Sequence, residues 1–67
     1  MTELEKIGTL IDHWQEHNNE HAELYMDWAA KTSTLGREEL SRILTKLALE
    51  SKRLNRLFQA AKKVESN

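Results

Sequence analysis

Residues 31–36 read Lys-Thr-Ser-Thr-Leu-Gly, and the apolar rhythm of the chain stops there. On either side of this stretch apolar residues recur every three or four positions, the signature of a single helical face. Small hydroxyl residues followed by a glycine favour a chain reversal over a continued helix. The stretch therefore reads as a turn at about 32–36 joining two helices. No proline occurs in the 67 residues, so nothing else forces a break.

Upstream of the turn, Leu4, Ile7, Leu10, Ile11, Trp14, Leu24, Tyr25 and Trp28 define a helix over about 3–31. Thr2 and Glu5 stand in the spacing of a capping box at its start. Gly8 lies inside it, at a cost of about 1 kcal/mol relative to alanine. Downstream, Leu40, Ile43, Leu44, Leu47, Leu54, Leu57, Phe58, Ala61 and Val64 define a second helix over about 37–65. Its first turn carries Glu38 and Glu39 and its last turns Lys62 and Lys63, both favourable to the helix dipole. The fold class is all-α: a two-helix antiparallel hairpin, forming one domain over residues 1–67.

A chain of this size buries only about 60% of its unfolded surface. Hydrophobic burial then supplies roughly 100 kcal/mol, and ordering the chain costs about the same. Such a hairpin is marginal alone, and two of them pairing into a four-helix bundle is the expected assembly. The chain has no cysteine, which excludes disulfides and thiolate metal sites. It also has no long apolar run, which argues against a membrane span or a signal peptide, so a cytoplasmic location is expected.

Charge is divided unevenly. Up to Gly36 there are seven acidic and two basic residues, a net charge of −5; from Arg37 onward there are four acidic and eight basic, a net charge of +4. An acidic helix and a basic one suit antiparallel pairing with charges flanking the apolar seam. Phosphate binding by the basic half is the sharper alternative, but that half has only Phe58 for base stacking and the whole chain has a net charge of −1. Nucleic acid is not an expected partner.

All three histidines fall within nine residues, His13-Trp14-Gln15-Glu16-His17-Asn18-Asn19-Glu20-His21. On a helix His13, His17 and His21 are successive i, i+4 neighbours, close enough for two imidazoles to share one metal ion. The run contains His-x-x-Glu-His twice, an inverted zinc-protease spacing, but two helices cannot build the cleft and further ligands that a protease needs. As seam positions Leu4, Ile7, Ile11, Trp14, Asn18, His21, Tyr25 and Trp28 alternate, with a polar break at Asn18 and His21. In the second helix Glu50 and Ser51 make a matching break between Leu47 and Leu54. With the turn centred near Ser33 to Leu35, the two breaks lie at the same level.

Three readings of this layer stay open. Asn18, His17, His21, Glu50 and Ser51 form a hydrogen-bonded layer that fixes register. Alternatively, His17, His21 and Glu50, assisted by His13 and Glu20, hold a metal in the core of a dimer. Or His13, His17 and Glu20 form a surface site on the flank. Nitrogen and oxygen ligands without sulfur suit zinc, nickel, cobalt or iron. Trp14, Tyr25 and Trp28 are too bulky for a two-helix hairpin to cover and read as interface residues of a homodimer.

The run His-Trp-x-Glu-His-Asn-x-Glu-His at 13–21, continuing into Ala22-Glu23 and Asp27-Trp28-Ala29, resembles a group of small uncharacterised prokaryotic helical domains. That resemblance covers mainly the first helix and implies that the cluster is functional without implying an activity. Hemerythrin-like metal bundles are a looser resemblance, since their ligands come from four helices. No serine or cysteine nucleophile stands beside a base and no glycine-rich phosphate loop exists, so an enzyme is not expected. The expected function is a small binding or interaction module, with a transition-metal site in a dimeric bundle. The alternative is a structural adaptor that docks another protein and binds no metal.

Overall fold

A computed structural model describes residues 2–66 as two helices, α1 (Glu3–Thr34) and α2 (Glu38–Ser66), folded back on one another. Met1 and Asn67, the ends of the expected domain, lie outside the described residues. The pairing is antiparallel: the Ser41 hydroxyl reaches the Ala29 carbonyl near the turn, and Lys62 reaches the Gly8 carbonyl at the far end. The all-helical hairpin is the fold that the apolar rhythm predicts.

Each helix boundary has a local cause. Thr2 is extended (φ −77°, ψ 163°), and its Oγ1 accepts the Glu5 N–H at 3.1 Å, as the capping spacing requires. At the other end α1 runs three residues beyond the expected stop. Two of the three hydroxyl residues read as turn formers bond backward instead: Thr32 Oγ1 donates to the Trp28 carbonyl at 2.8 Å, and Thr34 Oγ1 to that of Lys31 at 2.6 Å, while Ser33 Oγ donates forward to Glu38 Oε1. Such bonds satisfy a hydroxyl without leaving the helix. The reversal itself is made by Gly36 at φ +78°. Its N–H bonds to the Ser33 carbonyl and that of Arg37 to the Thr32 carbonyl, the paired bonds of a Schellman motif. The connection is thus residues 35–37 rather than 32–36, and α2 starts at Glu38.

The helices meet through small and polar side chains. In α1 the seam runs through Gly8, Ile11, Gln15, Asn18, Ala22, Tyr25, Ala29 and Thr32, an alternation of three and four, with Ile7 and Ser33 half-buried beside it. In α2 the series Ser41, Leu44, Ala48, Ser51, Asn55, Phe58, Lys62 and Glu65 keeps the same rhythm. Ile11, Asn18 and Tyr25 were expected at the seam and are there, and Ile7, also expected, lies beside it. Leu4, Trp14, His21 and Trp28 are not: all four are exposed. Ala48 has no exposed surface, whereas Trp14 and Trp28 are 45% and 52% exposed, and among the described residues no large side chain is fully buried.

Most of the exposed apolar residues share one side. In α1, Leu4 and Met26 apart, each precedes a seam residue by one: Leu10 before Ile11, Trp14 before Gln15, Leu24 before Tyr25, Trp28 before Ala29. In α2 the same holds for Leu40, Ile43, Leu47, Leu54, Leu57 and Val64. One residue is a step of about 100° around a helix. Because the helices run in opposite directions, stepping back by one turns both toward the same side of the hairpin. Met26 and Leu49, which follow seam residues, lie on the opposite side.

The result is a flat rod of 51 × 17 × 10 Å. Its accessible surface is 5392 Å², against about 4,400 Å² for a compact monomer of this mass.

The small-residue seam predicts an inverted mutational pattern for the hairpin. Ala48→Leu should push the helices apart and cost about 1–3 kcal/mol. Gly36→Ala, at a backbone angle only glycine adopts easily, should cost about 1–2 kcal/mol. Urea denaturation followed by circular dichroism reads both, and an unchanged midpoint for Ala48→Leu would contradict the seam.

Candidate functional site

The histidines occupy three successive turns of α1 on its outward side, where solvent reaches all of them. Ring centroids are 6.5 Å apart for His13 and His17 and 4.5 Å for His17 and His21. The His17 and His21 rings turn their Nε2 atoms toward each other at 2.8 Å. A hydrogen bond in that geometry needs a proton on one Nε2 and a lone pair on the other. The pair borders a shallow groove of about 540 Å³ whose walls include Trp14, Tyr25 and Phe58.

Glu20 does not line this groove. It faces a smaller recess of about 100 Å³ with His13, Glu16 and His17 on the outer edge of α1. Glu50 is on α2, exposed, and its carboxylate accepts a bond from Arg53 Nη1 at 3.1 Å. Among the described residues no three His, Cys, Asp or Glu side chains converge where a metal ion could sit. The five candidate ligands His13, His17, His21, Glu20 and Glu50 are therefore not assembled within one chain. One chain contributes a two-imidazole pair and, elsewhere, a carboxylate.

The polar layer exists with a different membership. Asn18 Nδ2 donates to the Ser51 carbonyl at 2.5 Å and to Asn55 Oδ1 at 3.2 Å. Asn55 Nδ2 in turn donates to Asn19 Oδ1 at 2.6 Å. Asn18 and Ser51 were expected to meet, and they do, although Ser51 takes part through its backbone. His17, His21 and Glu50 stand outside the layer, and Asn19 and Asn55 complete it. The signal that could have found Asn55 was its distance from Gly36, nearly that of Asn18, once the connection is placed at 35–37. No buried side-chain nitrogen or oxygen lacks a partner among the described residues.

A second polar clamp closes the open end. Lys62 Nζ donates to the Gly8 carbonyl at 3.0 Å and to Asp12 Oδ2 at 2.8 Å. Gly8 is buried because the Glu65 side chain crosses directly over it. Lys62 and Asp12 make the one ion pair between the helices among the described residues. The charge asymmetry of the two helices is otherwise not spent within the hairpin, contrary to the expectation of flanking pairs along its length.

No helix among the described residues is long and apolar enough to cross a membrane. Comparison with known families places residues 7–64 in a domain of unknown function, DUF8180, and the chain belongs to that family. The match spans both helices, where the resemblance read from the histidine run reached mainly the first. No curated protein and no solved structure matches the chain.

The two clamps give measurable expectations. Asn18→Ala leaves Asn55 short of a partner at the seam and should cost about 1 kcal/mol. The hydrogen bond to Asp12 and the charges of Asp12 and Glu65 raise the pKa of Lys62 above its ordinary 10.5, against a smaller opposing effect of desolvation. A raised lysine pKa means the folded state binds the proton more tightly. The clamp should therefore stabilise fully below the ordinary value, and the gain should be lost as pH rises through the raised one. Unfolding of wild type and Lys62→Gln from about pH 9 to 12 should show the two curves converging at the alkaline end; a constant gap would contradict this assignment.

Proposed function

We propose that this DUF8180 chain is a self-associating binding module, two copies of which close their apolar faces on each other to form a four-helix bundle. The observation that carries the proposal is the inversion of its side chains. Alanine, serine and glycine line the seam within the hairpin, while both tryptophans and a row of leucines face outward. An exposed apolar face of this extent marks an interaction surface.

Area and charge both favour a second copy as the occupant. The broad side of the rod measures 51 by 17 Å, on the order of the 800 Å² that each partner contributes to a standard interface. The surface in excess of a compact monomer is of similar size. A two-fold axis parallel to the rod lays α1 of one copy on α2 of the other. Acidic residues along the outer edge of α1, Glu20 and Asp27, then run beside Lys46 and Arg53 of α2. Opposite charges that make no pair between the two helices of one hairpin meet across the interface. Turning one copy end over end would instead set the acidic helix against its own duplicate.

Sedimentation equilibrium at micromolar concentration should return twice the chain mass of 7.8 kDa. Leu47→Glu changes an exposed residue of the hairpin, where a lone chain should register no more than about 0.5 kcal/mol. In the dimer it should abolish association and lower the melting temperature. A folded wild-type monomer at tens of micromolar would overturn the proposal and leave the face to a different protein.

A further inference from the structure

The two outward rows are interrupted at one height. In α1 the row is Leu10, Trp14, His17, His21, Leu24 and Trp28; in α2 it is Leu40, Ile43, Leu47, Glu50, Leu54 and Leu57. The bonds from Asn18 to Ser51 and Asn55 set the register of the helices. By that register His21 stands level with Glu50, and His17 with Leu54. Within one chain Glu50 points to the outer edge of α2, paired with Arg53, and no three ligands converge. Laying α1 of a second copy over α2 brings the partner's imidazole pair onto Glu50.

We infer that His17 and His21 of one copy, with Glu50 of the second, bind a divalent transition-metal ion such as zinc, nickel or cobalt, giving two equivalent sites per dimer. This deepens the proposed association and rests on it. One observation beyond spacing and one physical argument carry it. The first is the bite of the imidazole pair. With the Nε2 atoms 2.8 Å apart, an ion about 2.05 Å from each subtends roughly 85°. A separation of about 3.3 Å gives the tetrahedral angle, a small rotation away for exposed rings. Loading the pair requires both Nε2 lone pairs, so the ring that holds the shared proton gives it up to solvent at Nε2 and takes one from solvent at Nδ1; both rings are then Nδ1–H tautomers and no net proton is released.

The second support is an argument from desolvation. Closing the apolar faces would take both imidazoles out of water, and Glu50 with them once it turns inward from Arg53; a carboxylate without a partner there is strongly unfavourable. A cation held between one carboxylate and two neutral imidazoles satisfies all three. The donor set of two nitrogens and one oxygen matches borderline divalent metals and leaves a position for water or a further ligand.

Cobalt(II) is a suitable probe because its visible absorption reports coordination. Sedimentation in chelator first establishes the dimer; cobalt titration by calorimetry and absorbance then follows on the same sample. One cobalt per chain is expected, with Glu50→Gln weakening binding by at least about tenfold and His17→Gln/His21→Gln abolishing it. All three positions are exposed in the hairpin, so its fold should survive. The decisive arm mixes the Glu50→Gln chain with the His17→Gln/His21→Gln chain. Their heterodimer holds one complete site only if the ligands act across the interface, so mixing should recover binding at one cobalt per heterodimer.

A chelator-resistant dimer that takes up no cobalt would overturn the metal site and leave the association standing. A monomer both with and without cobalt would overturn both. One cobalt per dimer with Glu50→Gln unaffected would mean that four histidines meet at an end-over-end two-fold axis, and would overturn the carboxylate ligand. Failure of the mixed chains to recover binding would overturn the ligation across copies.

Discussion

The close approach of two helix backbones through Ala22, Ala29, Ala48, Ser41 and Ser51 governs the rest of the molecule. Small side chains bring the helices together along their length and leave no volume at the seam for tryptophan or a run of leucines. Those residues keep the three-and-four rhythm one step around each helix, and antiparallel geometry collects them on one side. The seam thereby creates an outward apolar face as a direct consequence of its own narrowness. It buries little, so what holds the register is polar: the amide ladder of Asn18, Asn19 and Asn55 at mid-height and the Lys62 clamp at the open end.

Much of the fold was legible in the sequence because its signals are local. Thr2 caps where its hydroxyl is followed at the right distance by Glu5, and Gly36 reverses the chain because no other residue type adopts its backbone angle as readily. The seam was legible only in part. A helical wheel centred on the largest apolar residues assumes that size predicts burial, which holds for a chain that covers its own core. Here Trp14 and Trp28 mark the centre of an apolar face, and that face is not the one the hairpin closes. Gly8 likewise reads as a weak point in a helix until Lys62 and Glu65 arrive from residues more than fifty positions away.

The histidine run was visible by spacing, and the structure adds what spacing lacks. Two rings present nitrogen to nitrogen at 2.8 Å, while the third leans toward the acidic edge of α1. Glu50 was matched to the polar break by level with the turn placed several residues early; the observed register sets it level with His21 and sets His17 level with Leu54. The error in the turn moved Asn18 one helical turn from Asn55, so the amide ladder was missed while Ser51 was retained. Membership of one family across both helices agrees with a unit whose two halves act together.

The Schellman connection also bears on how the hairpin assembles in time. Three residues between helices bring Ala29 and Ser41 together with very little loop entropy to overcome, whereas Gly8 and Lys62 are separated by nearly the whole chain. Pairing therefore starts beside Gly36 and closes like a zipper toward the termini, and opening runs the other way. Amide hydrogen exchange should be slowest next to the connection and quicken toward Thr2 and Ser66, with Lys62 acting as the clasp whose release begins each opening.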